Sequence, residues 1–91
     1  MRYVYILRCN DGSLYTGITA DVKKRLMSHN SGKASKYTRS RRPVELLYVE
    51  QFALKQEALS REIEIKDFSF ENKQRLIKFG EGRRSPSALA I

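Results

Sequence analysis

The sequence predicts a small α/β domain of the α+β type. A three-stranded, mainly antiparallel sheet is flanked by helices in the order β-β-α-β-α-α. Three observations carry this. Two tyrosine-bearing apolar runs, Tyr3 to Arg8 and Leu14 to Thr19, flank Asn10-Asp11-Gly12, the signature of a hairpin. A third alternating run follows Pro43. Two later segments then carry apolar residues at helical spacing. At 91 residues with 41% hydrophobic content, the chain fills one modest core and is too short for two.

The hairpin turn sets which side chains share a face. A two-residue loop on Asp11-Gly12 puts Tyr5 and Tyr15 on opposite faces. A three-residue loop, with Gly12 left-handed in a bulge, shifts the parity by one. Leu7 then opposes Tyr15, and Tyr5 opposes Gly17. Tyr3, Tyr5, Leu7, Tyr15, Gly17 and Thr19 share one face, while Val4, Ile6, Leu14 and Ile18 form an aliphatic core face. The clean aliphatic face favours the bulged turn. It also gives Gly17 a purpose, open space beside Tyr5; the plainer reading of Gly17 is a strand irregularity.

Thr19 is expected to cap a helix from Ala20 to about Asn30, stopped at Gly32. Val22 and Leu26 form its apolar stripe, and His29 falls close to that stripe and points partly inward. Arg25 and His29 stack one turn apart. Residues 30–43 read as a loop with Lys33, Lys36, Arg39, Arg41 and Arg42, no acid, and Tyr37 among hydroxyls. Basic residues interleaved with Ser, Thr and Tyr suit phosphate-backbone contact, and a solvated mobile loop is the plainer reading. A third strand from Val44 to about Phe52 is expected to alternate Leu46 and Tyr48 against Leu47 and Val49.

A helix from about Leu54 to Asp67 places Leu54, Ala58, Glu62 and Ile65 in one stripe. Glu62 is thus a carboxylate among inward-facing apolar residues and needs a partner. The partner is either a structural one, Arg25 or Arg61, or a metal or reacting group at a cleft floor. Ser69 caps a last helix from Phe70 to Phe79, ended by Gly80, with Phe70, Lys73, Leu76 and Ile77 packing it down. The domain is expected to span 1–80, with 81–91 a flexible tail.

Lys and Arg number 18 against 10 Asp and Glu, a formal charge of +8. Such a balance favours a polyanionic partner, nucleic acid ahead of an acidic membrane surface. Cys9 is the only cysteine, which excludes an internal disulfide and a Cys/His zinc set. No run has the length of a membrane span or a signal-peptide core. The expectation is a cytoplasmic protein, monomeric by default.

Taken together, these residues resemble the GIY-YIG nuclease superfamily, most closely its small stand-alone single-domain branch. The first motif stands as Tyr3-Val4-Tyr5 and the second as Tyr15-Thr16-Gly17. The first helix carries Arg25 with His29 one turn later. The later helix reads Glu57-Ala58-Leu59-Ser60-Arg61-Glu62, with Glu62 at the family's metal-binding glutamate. Tyr3 stands in place of the name-giving glycine and Thr16 in place of isoleucine. The family's downstream Asn role falls on Gln74 or Asn72. The resemblance covers nearly all of residues 3–79.

The resemblance implies hydrolysis of DNA phosphodiesters with a divalent ion, Mg²⁺ or Mn²⁺, held by Glu62; RNA is a further possible substrate. It implies that Tyr5 activates water and Tyr15 positions water or phosphate, or the reverse. Arg25 would hold a phosphate oxygen, and His29 would relay a proton or orient the tyrosines. Lys33, Lys36, Tyr37, Arg39, Arg41 and Arg42 would contact nucleic acid. The alternative is a non-catalytic nucleic-acid-binding module on the same scaffold.

Overall fold

The structure, a computed structural model, describes residues 1–80; the expected tail at 81–91 lies outside them. Strands β1 (Arg2–Arg8), β2 (Leu14–Thr19) and β3 (Glu45–Phe52) form one sheet in the order β2-β1-β3. Both pairings are antiparallel. The helices are α1 (Val22–Asn30), α2 (Lys36–Arg39), α3 (Lys55–Lys66) and α4 (Phe70–Phe79). The fold class is the expected one, with one addition: the basic segment between α1 and β3 folds its centre into the short helix α2.

The hairpin closes through the bulged three-residue turn. Gly12 has φ +86°, a backbone conformation that only glycine adopts freely. Its N–H donates to the Cys9 carbonyl at 2.9 Å, and the Cys9 N–H donates to the Ser13 carbonyl at 2.9 Å. Tyr5 therefore pairs with Gly17 and Leu7 with Tyr15. Asp11 accepts from the Ser13 backbone at 3.0 Å and from its hydroxyl at 2.5 Å. Those bonds, joined by Arg41, hold the Asp11 carboxyl below the usual carboxylate range.

One face of the sheet carries Tyr5, Leu7 and Val49, packed with Cys9, Val44 and Val22 of α1. The other carries Val4, Ile6 and Tyr48, packed with Ala58 and Ile65 of α3 and with Leu76 and Ile77 of α4. Helix α1 starts two residues later than expected because Asp21, not Thr19, accepts the capping bond, from Lys24 N–H at 3.0 Å. The Thr19 hydroxyl instead accepts from Asp21 N–H at 3.1 Å. Ser69 caps α4 as expected, accepting from Asn72 N–H at 3.1 Å. Phe70, expected to pack inward, is 50% exposed, and so is Leu54 at 53%, which precedes α3 rather than joining its buried stripe.

The third strand departs from simple alternation. Ile6 faces Tyr48 while Leu7 faces Leu46, so Leu47 is a bulged extra residue. Leu46 and Tyr48, expected on one face, pack on opposite faces. The shift also turns Glu50 inward beside Val4, where it is fully buried. Its carboxylate accepts from Arg61 Nε at 2.8 Å, Arg61 Nη2 at 2.9 Å and the Tyr48 hydroxyl at 2.6 Å. Arg61 also donates to Glu64 at 2.6 Å. The Glu50 carboxylate raises the Arg61 guanidinium further above its already high range. This buried pair clamps α3 to the sheet, one residue before Glu62.

Candidate active site

The site is built on the Tyr5 face of the sheet. Tyr5 sits on the central strand and is 3% exposed. Its ring lies across Gly17 on the neighbouring strand: a Cβ at Gly17 would come within 2.5 Å of Tyr5 Cζ. The space left by the missing side chain is thus filled by the tyrosine itself. This orients the Tyr5 hydroxyl towards α1, where it meets His29 Nε2 at 2.8 Å. His29 is brought there by the inward stripe of α1 and is 1% exposed. Tyr15 lies beside both, its ring centroid 5.2 Å from His29 and 6.5 Å from Tyr5.

The far side of the imidazole is held by the segment expected to be a loop. His29 Nδ1 is 2.7 Å from the hydroxyl of Thr38, a fully buried residue of α2. That hydroxyl is 3.0 Å from the hydroxyl of Ser35, which caps α2 by accepting from Thr38 N–H at 3.1 Å. Tyr37 stacks on Tyr15 with centroids 5.8 Å apart. The Arg41 guanidinium lies over the Tyr37 ring, 3.9 Å from its centroid. Arg41 is anchored further by Asp11 at 2.9 Å and by the Tyr37 carbonyl at 2.9 Å. The Asn10 N–H donates to the Arg41 carbonyl at 2.9 Å, tying the segment to the hairpin turn.

Arg25 is half-buried, and its side chain makes no hydrogen bond or ion pair among the described residues. It is near enough to be felt at both Tyr5 and His29. Glu62 also acts on Tyr5. Helix α3 packs across β1 and β2, with Ala58 and Ile65 on the Val4 and Ile6 face. The Glu62 side chain is 13% exposed and pairs with Lys66 at 3.3 Å. The expected structural partners, Arg25 and Arg61, do not pair with it: Arg61 belongs to Glu50 and Glu64.

Burial, the neighbouring Tyr15 and Glu62 raise the Tyr5 phenol above its ordinary range, against the opposing charge of Arg25. Burial and Arg25 together lower the His29 imidazolium below its ordinary value, favouring a neutral ring at pH 7. The pair is therefore a protonated phenol bonded to a neutral imidazole. Such a pair accepts a proton from outside only by passing the phenol's own proton on to the ring.

Of the residues singled out by the sequence, Tyr5, Tyr15, Gly17 and His29 come together, with Arg25 and Glu62 close enough to act on Tyr5 electrostatically. Lys33, Lys36, Arg39 and Arg42 are exposed, whereas Arg41 and Tyr37 are engaged in the stack. Arg39 and Arg42 line, with Asn30, Ser40 and Pro43, an open cavity of about 520 Å³ beyond the end of α1. A second, of about 440 Å³, lies against Thr19, Lys24, Arg25 and Ser28 near its start. Thr38 and Ser35 join the site without having been expected there. Their local signal is Ser35 as an N-cap three residues before Thr38; the contact with His29 has no sequence signature.

Fold and site together define a GIY-YIG domain, and a model of the GIY-YIG catalytic domain matches residues 1–75. The chain belongs to this family, which is of nuclease type. It is 55% identical over 78 residues to a UPF0213 protein of Staphylococcus saprophyticus, covering 86% of this chain and 95% of the relative. A UPF0213 protein of Bacillus pumilus is 55% identical over 76 residues, 84% of this chain and 78% of the relative. The solution structure of a UPF0213 protein from Bacillus halodurans superposes with a TM-score of 0.58 at 44% identity, covering 99% of this chain and 94% of that one. That of a protein from E. faecalis gives a TM-score of 0.59 at 38% identity, covering 85% and 82%.

Proposed function

We propose that this protein is a divalent-metal-dependent nuclease that hydrolyses phosphodiester bonds in DNA. The observation that carries the reading is the buried Tyr5–His29 hydrogen bond of 2.8 Å, flanked by an unpaired Arg25 and the carboxylate of Glu62. A binding module has no need of this arrangement.

Water gives a proton to the Tyr5 oxygen as Tyr5 gives its own to His29 Nε2. The water oxygen forms the new P–O bond, the bond to the leaving oxygen breaks, and the leaving oxygen takes a proton from solvent. His29 has the capacity to receive because its neutral form is favoured. Arg25, planar and permanently charged, holds a phosphoryl oxygen as charge builds there. Tyr15, with no hydrogen bond to His29, lines the place where water or phosphate sits.

Among the described residues no group of three or more His, Cys, Asp or Glu is gathered for a metal. The donor set is one carboxylate, Glu62, partly exposed and paired here with Lys66, which an ion would have to displace. This fits Mg²⁺ or Mn²⁺, which keep several waters and take one or two protein carboxylates, and does not fit zinc. When bound, such an ion supplies positive charge to the phosphoryl and leaving oxygens.

Lys33, Lys36, Arg39 and Arg42, with Lys24 beside Arg25, give the DNA backbone a cationic track along α1, a helix about 13 Å long. No helix among the described residues is long and apolar enough to cross a membrane. We place the protein in the cytoplasm as a monomer.

The test is cleavage of duplex, nicked, branched and single-stranded DNA, with RNA in parallel, with and without Mg²⁺ or Mn²⁺. Wild type is compared with Tyr5→Phe and Glu62→Gln. Metal-dependent cleavage of DNA lost in both variants, with binding retained, supports the reading. Binding without turnover on every substrate overturns it in favour of a binding module. Preferential cutting of RNA overturns the choice of substrate.

A further inference from the structure

The hydrogen-bond chain Tyr5–His29–Thr38–Ser35 decides which imidazole nitrogen carries the proton. Four groups meet at three contacts, of 2.8, 2.7 and 3.0 Å. A neutral ring carries its proton on one nitrogen or the other, and each choice orients the chain. In one, Tyr5 donates to Nε2, Nδ1–H donates to Thr38, and Thr38 donates to Ser35. The proton left over is that of Ser35, which is half-exposed and can give it to water.

In the other, every donation is reversed and the proton left over belongs to Tyr5. Tyr5 is 3% exposed, and its hydroxyl has no other hydrogen-bond partner among the described residues. An acceptor for that proton has to come from outside the protein, into a nearly closed site. The first arrangement satisfies every buried donor from within the protein and turns the Tyr5 oxygen, not its proton, to the water that the proposed reaction places there.

We propose that Thr38 and Ser35 are positioning residues that fix His29 as the Nδ1–H tautomer, leaving Nε2 free to accept the proton of Tyr5. The inference rests on the nuclease reading for its catalytic consequence, but the tautomer is a property of the free protein. Thr38 is suited to the task by burial and by its place: α2 presents it because Ser35 caps the helix and the Arg41–Asp11 and Asn10 contacts pin the segment. The Ser35 carbonyl, 3.5 Å from the Thr38 hydroxyl, is a second and weaker acceptor in the same direction. Without Thr38 the ring loses the acceptor that holds Nδ1–H. Without the Ser35 hydroxyl, Thr38 keeps only the weaker Ser35 carbonyl as acceptor, and its hold on Nδ1–H loosens.

His29 is the only histidine in the chain, so its ring nitrogens are read without ambiguity by ¹⁵N NMR of the free protein above the pH at which the ring titrates. Wild type and Thr38→Ser are expected as Nδ1–H, Thr38→Val as predominantly Nε2–H, and Ser35→Ala as a mixture shifted towards Nε2–H. Ser35→Ala keeps the test alive if Thr38→Val fails to fold. Wild-type His29 in the Nε2–H form overturns the proposal, as does an unchanged tautomer in the folded variants. In the cleavage assay, Thr38→Val is expected to lower turnover roughly 10²-fold, as loss of an aligned proton acceptor does, with DNA affinity unchanged and Thr38→Ser restoring the rate. A wild-type turnover in Thr38→Val, with the tautomer changed, overturns the catalytic consequence alone. Absence of cleavage in every protein counts against the nuclease reading and leaves the NMR result standing.

Discussion

Replacing Arg61 with methionine tests the clamp between α3 and β3. Glu50 is fully buried, and two of its three hydrogen bonds come from Arg61, at 2.8 and 2.9 Å. Arg61→Met leaves a buried carboxylate with only the Tyr48 hydroxyl at 2.6 Å. Breaking a buried pair from one side removes about 3–5 kcal/mol, because the remaining charge has lost its counter-charge and cannot reach water. A domain of this size holds roughly 5–14 kcal/mol in all, so the loss is a large fraction of the total. Each kcal/mol lowers Tm by roughly 4–8 °C in a chain this short. Urea unfolding of Arg61→Met, Glu50→Leu and the double variant gives the measurement. The double variant is expected to recover most of the loss, since an apolar pair of similar volume replaces the ion pair. A loss below about 1 kcal/mol in Arg61→Met would refute the reasoning. So would a double variant no more stable than Arg61→Met.

Gly17→Ala drives a Cβ to within 2.5 Å of Tyr5 Cζ; overpacking is expected to remove about 1–3 kcal/mol in the same unfolding assay, and wild-type stability would contradict the packing of the ring on Gly17. Thr16 has the one buried side-chain polar atom without a hydrogen-bond partner among the described residues. Thr16→Val keeps the shape and removes that defect, so it is expected to raise stability by about 1 kcal/mol or more. Reversing charge at Arg39 and Arg42 is expected to weaken DNA binding and to lower the salt slope by roughly 0.9 for each phosphate no longer neutralised, measured by titration across salt. His29 has a folded-state pKa below 6.5. The unfolded chain therefore binds more protons in the window below about 6.5, so stability rises with pH through it and is lost as pH falls. His29→Gln should flatten that dependence, and an unchanged pH profile would exclude His29 as its source.

The hairpin was legible because its determinants are local. Asn10-Asp11-Gly12 encodes a left-handed glycine, and the aliphatic set Val4, Ile6, Leu14 and Ile18 fixes the parity. That alone places Tyr5, Tyr15 and Gly17 together. The helical stripe of α1 likewise turns His29 inward, as expected. Glu50 was illegible because the bulge at Leu47 carries no glycine or proline to announce it. Alternation counted through that point assigns each later side chain relative to Leu46 on the wrong face. Thr38 was illegible for a different reason. A four-residue helix is too short to show a period, and the value of its hydroxyl lies in a partner nine residues away. The partner of Glu62 was missed because Arg61, its sequence neighbour, is drawn off by Glu50.

The same competition for acids sorts the basic segment. Five cations within residues 33–42 look equivalent in sequence, and the net charge of +8 says only that most are unmatched. Asp11 at the hairpin turn reaches one of them. Arg41 is fixed by that carboxylate, by the Tyr37 carbonyl and by the Tyr37 ring. Through these contacts it holds α2 against the site. Lys33, Lys36, Arg39 and Arg42 have no acid within ion-pair distance among the described residues. They keep their charge for an external anion. One acidic residue in a tight turn thus divides a basic segment into a brace for Thr38 and His29 and a set of exposed, unmatched cations. In the proposed reading the brace serves the proton chemistry and the surface the affinity, so their variants are expected to separate turnover from binding.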